Sequence, residues 1–191
     1  MGYTTDFYGS FNFNKPVTKE LAEYIDKFCS TRRMQRNVDE IKKLFPNWKE
    51  LCFNGELGDE GEYFVGGEGF MGQGKETTII NYNRPPATQP GLWCQWIVSE
   101  DGNSLEWDGG EKFYSYDAWL EYLIVNFFEP LGYVLNGEVE FQGEDYDDFG
   151  AIIVEDNVVD LKYGIRVNSL EEISNDELIS EMIKRGFKVV I

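Results

Sequence analysis

Between about residues 133 and 163 the chain reads as three consecutive strands with only short polar connections, and no other feature restricts the fold as much. The runs lie near 133–142, 149–155 and 158–163, joined by residues 143–148 and by Asp156-Asn157. In the first run Val139 and Phe141 alternate with Glu138 and Glu140, the period-two pattern of a strand with one face in a core and the other in water. Connections this short suit antiparallel neighbours, so the segment predicts a three-strand meander. Its apolar face needs a covering layer. The best candidate is a helix over 116–129, where Tyr116, Trp119, Leu120, Leu123, Ile124, Phe127 and Phe128 build a broad stripe that Pro130 and Gly132 end.

Upstream, 92–99 and 104–108 predict a hairpin around Glu100-Asp101-Gly102-Asn103. Trp93, Gln95 and Ile97 fall on one face and Cys94, Trp96 and Val98 on the other; with both faces largely apolar, the expectation is a central strand. The alternation of Tyr3, Thr5 and Phe7, then Phe11 and Phe13 across Gly9-Ser10, predicts a short strand pair. A helix after Pro16 and Thr18 presents Leu21, Tyr24, Ile25, Phe28 and Cys29 on one stripe. A shorter helix starts from Asn37 with Glu40 three residues on and must end by Phe45, before Pro46. A strand is expected over 77–82, and another at Tyr63-Phe64-Val65 inside a glycine-rich loop over 55–74. Beyond 165, Ser174 and Glu177 form a capping box, and a last strand is expected at 188–191.

The fold class that follows is α+β: a mostly antiparallel sheet with a central hairpin and a three-strand meander, packed against three to four helices. Residues 1–164 read as one acidic domain whose first 50 residues are basic and helical, with 165–191 as a helix-strand appendage.

Aromatic residues make up 16% of the 191 residues and hydrophobic residues 42%, so the net charge of −18 must coat a folded core rather than hold the chain open. The charge is segregated. Residues 1–50 carry 9 Lys and Arg against 7 Asp and Glu, residues 51–164 carry 4 against 23, and residues 165–191 carry 4 against 5. Arg32, Arg33, Arg36, Lys42, Lys43 and Lys49 read as a basic patch, and the middle of the molecule as a negative field. Such a field repels phosphate backbones and attracts cationic protein surfaces, which disfavours direct nucleic-acid binding. No apolar run approaches the roughly 18 residues of a membrane span, and the first residues lack a signal-peptide pattern. The expected setting is cytoplasmic, without membrane attachment.

The chain has no histidine, which excludes Ser-His-Asp and Cys-His machinery and His-containing zinc sites. Cys29, Cys52 and Cys94 are odd in number and far apart, a pattern of reduced, buried thiols rather than a disulfide framework or a CxxC site. Residues 69–76, Gly-Phe-Met-Gly-Gln-Gly-Lys-Glu, match a phosphate-binding GxxxxGK loop until Glu76 takes the place of the Ser or Thr that would hold magnesium. The β-branched Thr77-Thr78-Ile79-Ile80 that follows is equally unsuited to the helix such a loop must open.

What remains is carboxylate. Glu106, Asp108, Glu111, Glu138, Glu140, Glu144, Asp145, Asp147 and Asp148 are the candidate partner-binding residues, because carboxylates at alternate strand positions repeat roughly every 6.6 Å and can meet a row of Lys or Arg side chains. An ordinary solvated sheet face is the plainer reading. Asp145, Asp147 and Asp148, with Asp156, form an alternative metal set for phosphoester chemistry. No cofactor is expected. Trp93, Trp96, Trp107, Trp119, Phe113, Tyr114 and Tyr116 are numerous enough for a stacking cleft, although their spacings suit a core better. The glycine-rich loop with nearby aromatics is a third option, a small-ligand site. The composition leans away from catalysis and toward a binding role.

The runs Gly91-Leu92-Trp93-Cys94-Gln95-Trp96, Trp107-Asp108-Gly109-Gly110-Glu111-Lys112-Phe113-Tyr114, Gly132-Tyr133-Val134-Leu135-Asn136-Gly137-Glu138 and Gln142-Gly143-Glu144-Asp145, together with Thr31-Arg32-Arg33-Met34, resemble a group of uncharacterised proteins encoded by bacteria and their phages. The likeness runs from about residue 2 to 164. It implies a prokaryotic or phage origin and a cytoplasmic setting, and it carries no catalytic residues with it.

Overall fold

The computed structural model describes residues 2–66 and 76–164, with Ser174, Asp176, Ile179, Ser180 and Lys184 in the tail. In chain order the elements are β1 (Thr5–Phe13), α1 (Lys19–Ser30), β2 (Gln35–Arg36), α2 (Val38–Leu44), β3 (Ile79–Asn81), β4 (Trp96–Val98), β5 (Ser104–Trp107), α3 (Tyr116–Leu123), β6 (Leu135–Gly143), β7 (Phe149–Glu155) and β8 (Val158–Tyr163). The main sheet has six strands in the order β4-β5-β1-β6-β7-β8, antiparallel throughout, and β2 with β3 forms a small second sheet. The fold is α+β, with the meander where the alternation placed it.

β1 is one strand rather than a pair, matched to β6 along its whole length from Thr5 opposite Gly143 to Phe13 opposite Leu135. Gly9 is not a turn. It lies opposite Val139 with φ +113, and a Cβ there would meet the Glu138 carbonyl oxygen at 2.7 Å; Gly137, opposite Phe11 with φ +146, is held in the same way by the Ser10 carbonyl. These two glycines let the central strands approach where a side chain would wedge them apart.

The hairpin strand expected to be central is instead the edge strand β4, and it is shorter than its apolar run. Trp96 is buried all the same, because α1 packs against β4 and the Cys29 thiol donates to the Trp96 carbonyl at 2.9 Å. A helix supplied the second apolar contact that the sequence attributed to a neighbouring strand.

α1 begins where Thr18 accepts from the Leu21 N–H, and it buries Leu21, Ile25, Phe28 and Cys29. α2 begins where Asn37 accepts from the Asp39 and Glu40 N–H groups, and it stops before Pro46. α3 is shorter than expected: after Leu123 the backbone widens into a π-turn over Ile124–Phe128, closed by the Glu129 N–H on the Ile124 carbonyl, and ends at Gly132. Ile124, Phe127 and Phe128 are all buried by that turn.

Phe7 sits at the centre of the core, edge-on to Trp96, Trp107, Phe113 and Tyr116 with ring centroids 4.9 to 5.9 Å away. Most of the aromatics considered for a stacking cleft are therefore spent on one another. Ile41, Cys52, Leu57 and Phe64 make a second, smaller cluster. Tyr63-Phe64-Val65 is not a strand. A tight turn at Asp59–Gly61 folds the segment back, so that the Tyr63 N–H meets the Leu57 carbonyl and Phe64 enters the small cluster. Asp176, Ile179, Ser180 and Lys184 are helical, whereas Glu177, the strand expected at 188–191 and the phosphate-loop likeness up to Lys75 lie outside the described residues.

Candidate functional site

One face of the six-stranded sheet carries the core, and the other is open. On β1 and β6 the odd-numbered Phe7, Phe11, Val139 and Phe141 are buried, while Asp6, Tyr8, Glu138 and Glu140 are exposed. The pairing aligns the outward residues in rows: Ser10–Glu138–Ile153–Asp160, then Tyr8–Glu140–Ala151–Lys162, then Asp6–Gln142–Phe149. Phe11 pairs with Leu105, so one step along that register sets Glu106 beside Ser10, two strands and about 10 Å from Glu138. Of the candidate residues, Glu106, Glu138 and Glu140 share this face; Asp6, Asp160 and Glu155 join them. Lys162 is the one cation on those strands.

The acidic turn between β6 and β7 stands at the end of the same face and is tightly built. Gln142 donates from its side chain to the Gly143, Asp145 and Asp148 carbonyls. The Tyr3 hydroxyl donates to Asp148 at 2.6 Å and accepts the Asp145 N–H at 3.1 Å, and the Thr4 N–H reaches the Glu144 carboxylate. The bond to Asp148 raises the Tyr3 pKa above its ordinary value. Asp145 and Asp147 remain exposed at the tip.

Asp108 and Glu111 lie elsewhere, in the loop after β5. The Asp108 carboxylate accepts the Gly110 N–H at 2.7 Å; lost solvation pushes its pKa up while that bond pulls it down. Glu111 pairs with Lys112 at 3.3 Å. The metal alternative is not supported by the geometry. Asp156 sits at the far end of β7 from Asp145, Asp147 and Asp148, a strand length of roughly 20 Å away, and among the described residues no three Cys, Asp or Glu side chains converge on a point that could hold an ion.

The ion pairs among the described residues are Lys19–Glu23, Arg36–Glu76, Glu40–Lys43, Glu111–Lys112 and Asp160–Lys162. None involves Asp6, Glu106, Glu138 or Glu140, so the face is not neutralised by the basic first fifty residues. That basic patch is itself smaller than the sequence suggests, because Arg33 and Arg36 are both 2% exposed. Arg33 donates to the Glu62 carbonyl at 2.6 Å, the Phe64 carbonyl at 3.0 Å and the Gln89 side chain at 3.4 Å, and lies over the Phe28 ring. Gln89 returns a bond to the Glu62 carbonyl, while the Glu62 carboxylate accepts from Tyr122 and Thr88. Arg36 holds Glu76 at 2.8 Å and Thr78 at 2.7 Å, so Glu76, the last position of the phosphate-loop likeness, meets an arginine of its own chain.

A concavity of about 610 Å³ lies on the open face, lined by Tyr8, Glu140, Gln142, Phe149, Ala151 and Lys162 among others. Tyr8 is 61% exposed and pairs directly with Glu140. Sequence reading missed Asp6, Tyr8 and Asp160 as members of the site. Their signal was the alternation with Phe7 and Leu161, hidden in β1 by the apparent turn at Gly9. No protein-family model matches the chain, and neither a curated protein nor a solved structure does.

Proposed function

We propose that this is a non-enzymatic binding protein that docks the open face of its sheet onto a basic surface of a protein partner. The observation that carries the reading is the group of carboxylates on Glu106, Glu138 and Glu140, with Asp6 on the same face, held on a paired sheet and engaged by no cation among the described residues. A rigid array costs little ordering on binding, and opposite charge steers the encounter. The exposed Tyr8 ring beside Glu140 offers an arginine both a face to stack on and a carboxylate to fork onto.

Regularly spaced negative groups on a firm surface imitate a phosphate backbone. In the bacterial or phage setting that the resemblance implies, the protein acts in the cytoplasm as an inhibitor of a nucleic-acid-handling or defence protein, lying where DNA or RNA would lie. Contact with nucleic acid itself is disfavoured by the same field. No helix among the described residues is long and apolar enough to cross a membrane.

The test is affinity capture from bacterial lysate on the immobilised chain, at low and high salt, with duplex DNA as competitor. The expected result is a basic, nucleic-acid-handling protein retained at low salt, released at high salt and displaced by DNA. Retention indifferent to both, or no retained protein, overturns the reading.

A further inference from the structure

The sheet ends at β8, and the outer side of that strand has no partner strand among the described residues. Val158 and Tyr163 are 67% and 61% exposed there. The Gly164 N–H donates to the Phe149 carbonyl, which fixes which residues of β8 face β7: Val158, Asp160 and Lys162 point their backbone groups inward along the sheet, and Val159, Leu161 and Tyr163 point theirs out at the edge away from β7.

A second copy can pair with this edge in an antiparallel sense only if outward residues meet outward residues, and three such two-fold registers engage at least two outward residues of each copy. Centred on Asp160, the register sets Asp160 against its own copy; centred on Lys162, it sets lysine against lysine. Centred on Leu161, it places Asp160 opposite Lys162 of the other copy, twice, on the open face. The same register aligns Val159 with Tyr163 and Leu161 with Leu161 and engages all three outward residues of each copy. In each monomer Asp160 and Lys162 already lie on one face as an exposed pair at 3.4 Å, so the exchange of partners moves only exposed side chains.

We infer that β8 is a self-association edge, through which two copies join in the register centred on Leu161 into one continuous twelve-stranded sheet. The two-fold axis then stands perpendicular to the sheet, so the open faces of both copies look the same way and their carboxylate rows become one surface. The inference stands on the edge geometry and not on the docking role, and it survives if no basic partner exists.

Sedimentation velocity up to about 0.3 mM protein, where weak edge contacts are populated, reads the dimer directly. Wild type is expected to dimerise. Lys162→Glu and Asp160→Lys, each of which sets like charges opposite one another, are expected to weaken dimerisation at least tenfold, and the double reversal Asp160→Lys/Lys162→Glu to restore it. Both positions are about 60% exposed, so the variants keep the fold. As a check on register, Leu161→Cys is expected to form a disulfide-linked dimer on mild oxidation, because that register brings the two Cα atoms to about 5.5 Å; Val159→Cys is not. A wild type that stays monomeric, single reversals without effect, or a double reversal that fails to restore the dimer overturns the inference.

Discussion

Arg32 and Arg33 are adjacent in sequence, and the structure gives them opposite parts, which makes their replacement by methionine a sharp test of the fold account. Arg33 is buried, and burial lowers its pKa from the usual guanidinium value. It is kept in place by two backbone carbonyls, the Gln89 side chain and the Phe28 ring. Methionine fills similar space but donates nothing. The Glu62 carbonyl keeps its bond from Gln89, whereas the Phe64 carbonyl is left without that donor. One orphaned buried acceptor costs about 1–3 kcal/mol, and a lost charge-assisted bond adds about 1–2 kcal/mol, partly offset because no cation need be desolvated. The net expectation for Arg33→Met is a loss of about 2–4 kcal/mol, or roughly 6–12 °C in Tm for a chain of this size. Arg32→Met removes one bond to the Tyr82 carbonyl and a distant contact with Trp93, and should cost about 1 kcal/mol or less. Urea unfolding of both variants measures the difference. Equal losses, or an Arg33 variant as stable as wild type, would refute the assignment of Arg33 to a buried structural network.

The two faces of β7 should differ in the same assay: Ile152→Ala, at a fully buried position, is expected to cost about 2–5 kcal/mol, and Ile153→Ala on the open face less than half as much. Asp101, bonded by the Asn103 side chain and backbone and by Ser99, is held down to a pKa of about 2. Its contribution to the hairpin is therefore present above pH about 4 and lost as pH falls through about 2, and a carboxyl midpoint near 4 by NMR would contradict the turn geometry. Cys29, Cys52 and Cys94 are free and buried, and burial pushes the Cys29 thiol up; a thiol reagent should label none of them quickly in the native protein and all three after unfolding.

Much of the fold was legible because local and tertiary signals agreed. Val139 and Phe141 alternate with Glu138 and Glu140, Asn37 caps α2, and both readings survive packing unchanged. The misreadings have physical causes. Glycine at position 9 carries the same local signal whether it turns the chain or lets two strands approach, and only the register with β6 decides between them. An apolar run such as Leu92–Val98 shows that both faces are covered without showing whether a strand or a helix covers them. Arg33 looked like surface charge because no local pattern announces that carbonyls from a distant loop will solvate a cation. The site was half legible: carboxylates on strands were found by alternation, while Asp108 and Glu111 were grouped with them only by proximity in sequence.

The central claim is that position, and not charge alone, makes the open face a docking surface. It is tested by comparing Glu106→Gln/Glu138→Gln/Glu140→Gln with Glu20→Gln/Glu23→Gln/Asp26→Asn, which removes the same three charges from the exposed side of α1. Affinity for the captured partner at low salt is predicted to fall at least tenfold for the sheet triple and less than about threefold for the helix triple. Equal losses in the two would show that net charge alone draws the partner and that the sheet face holds no site.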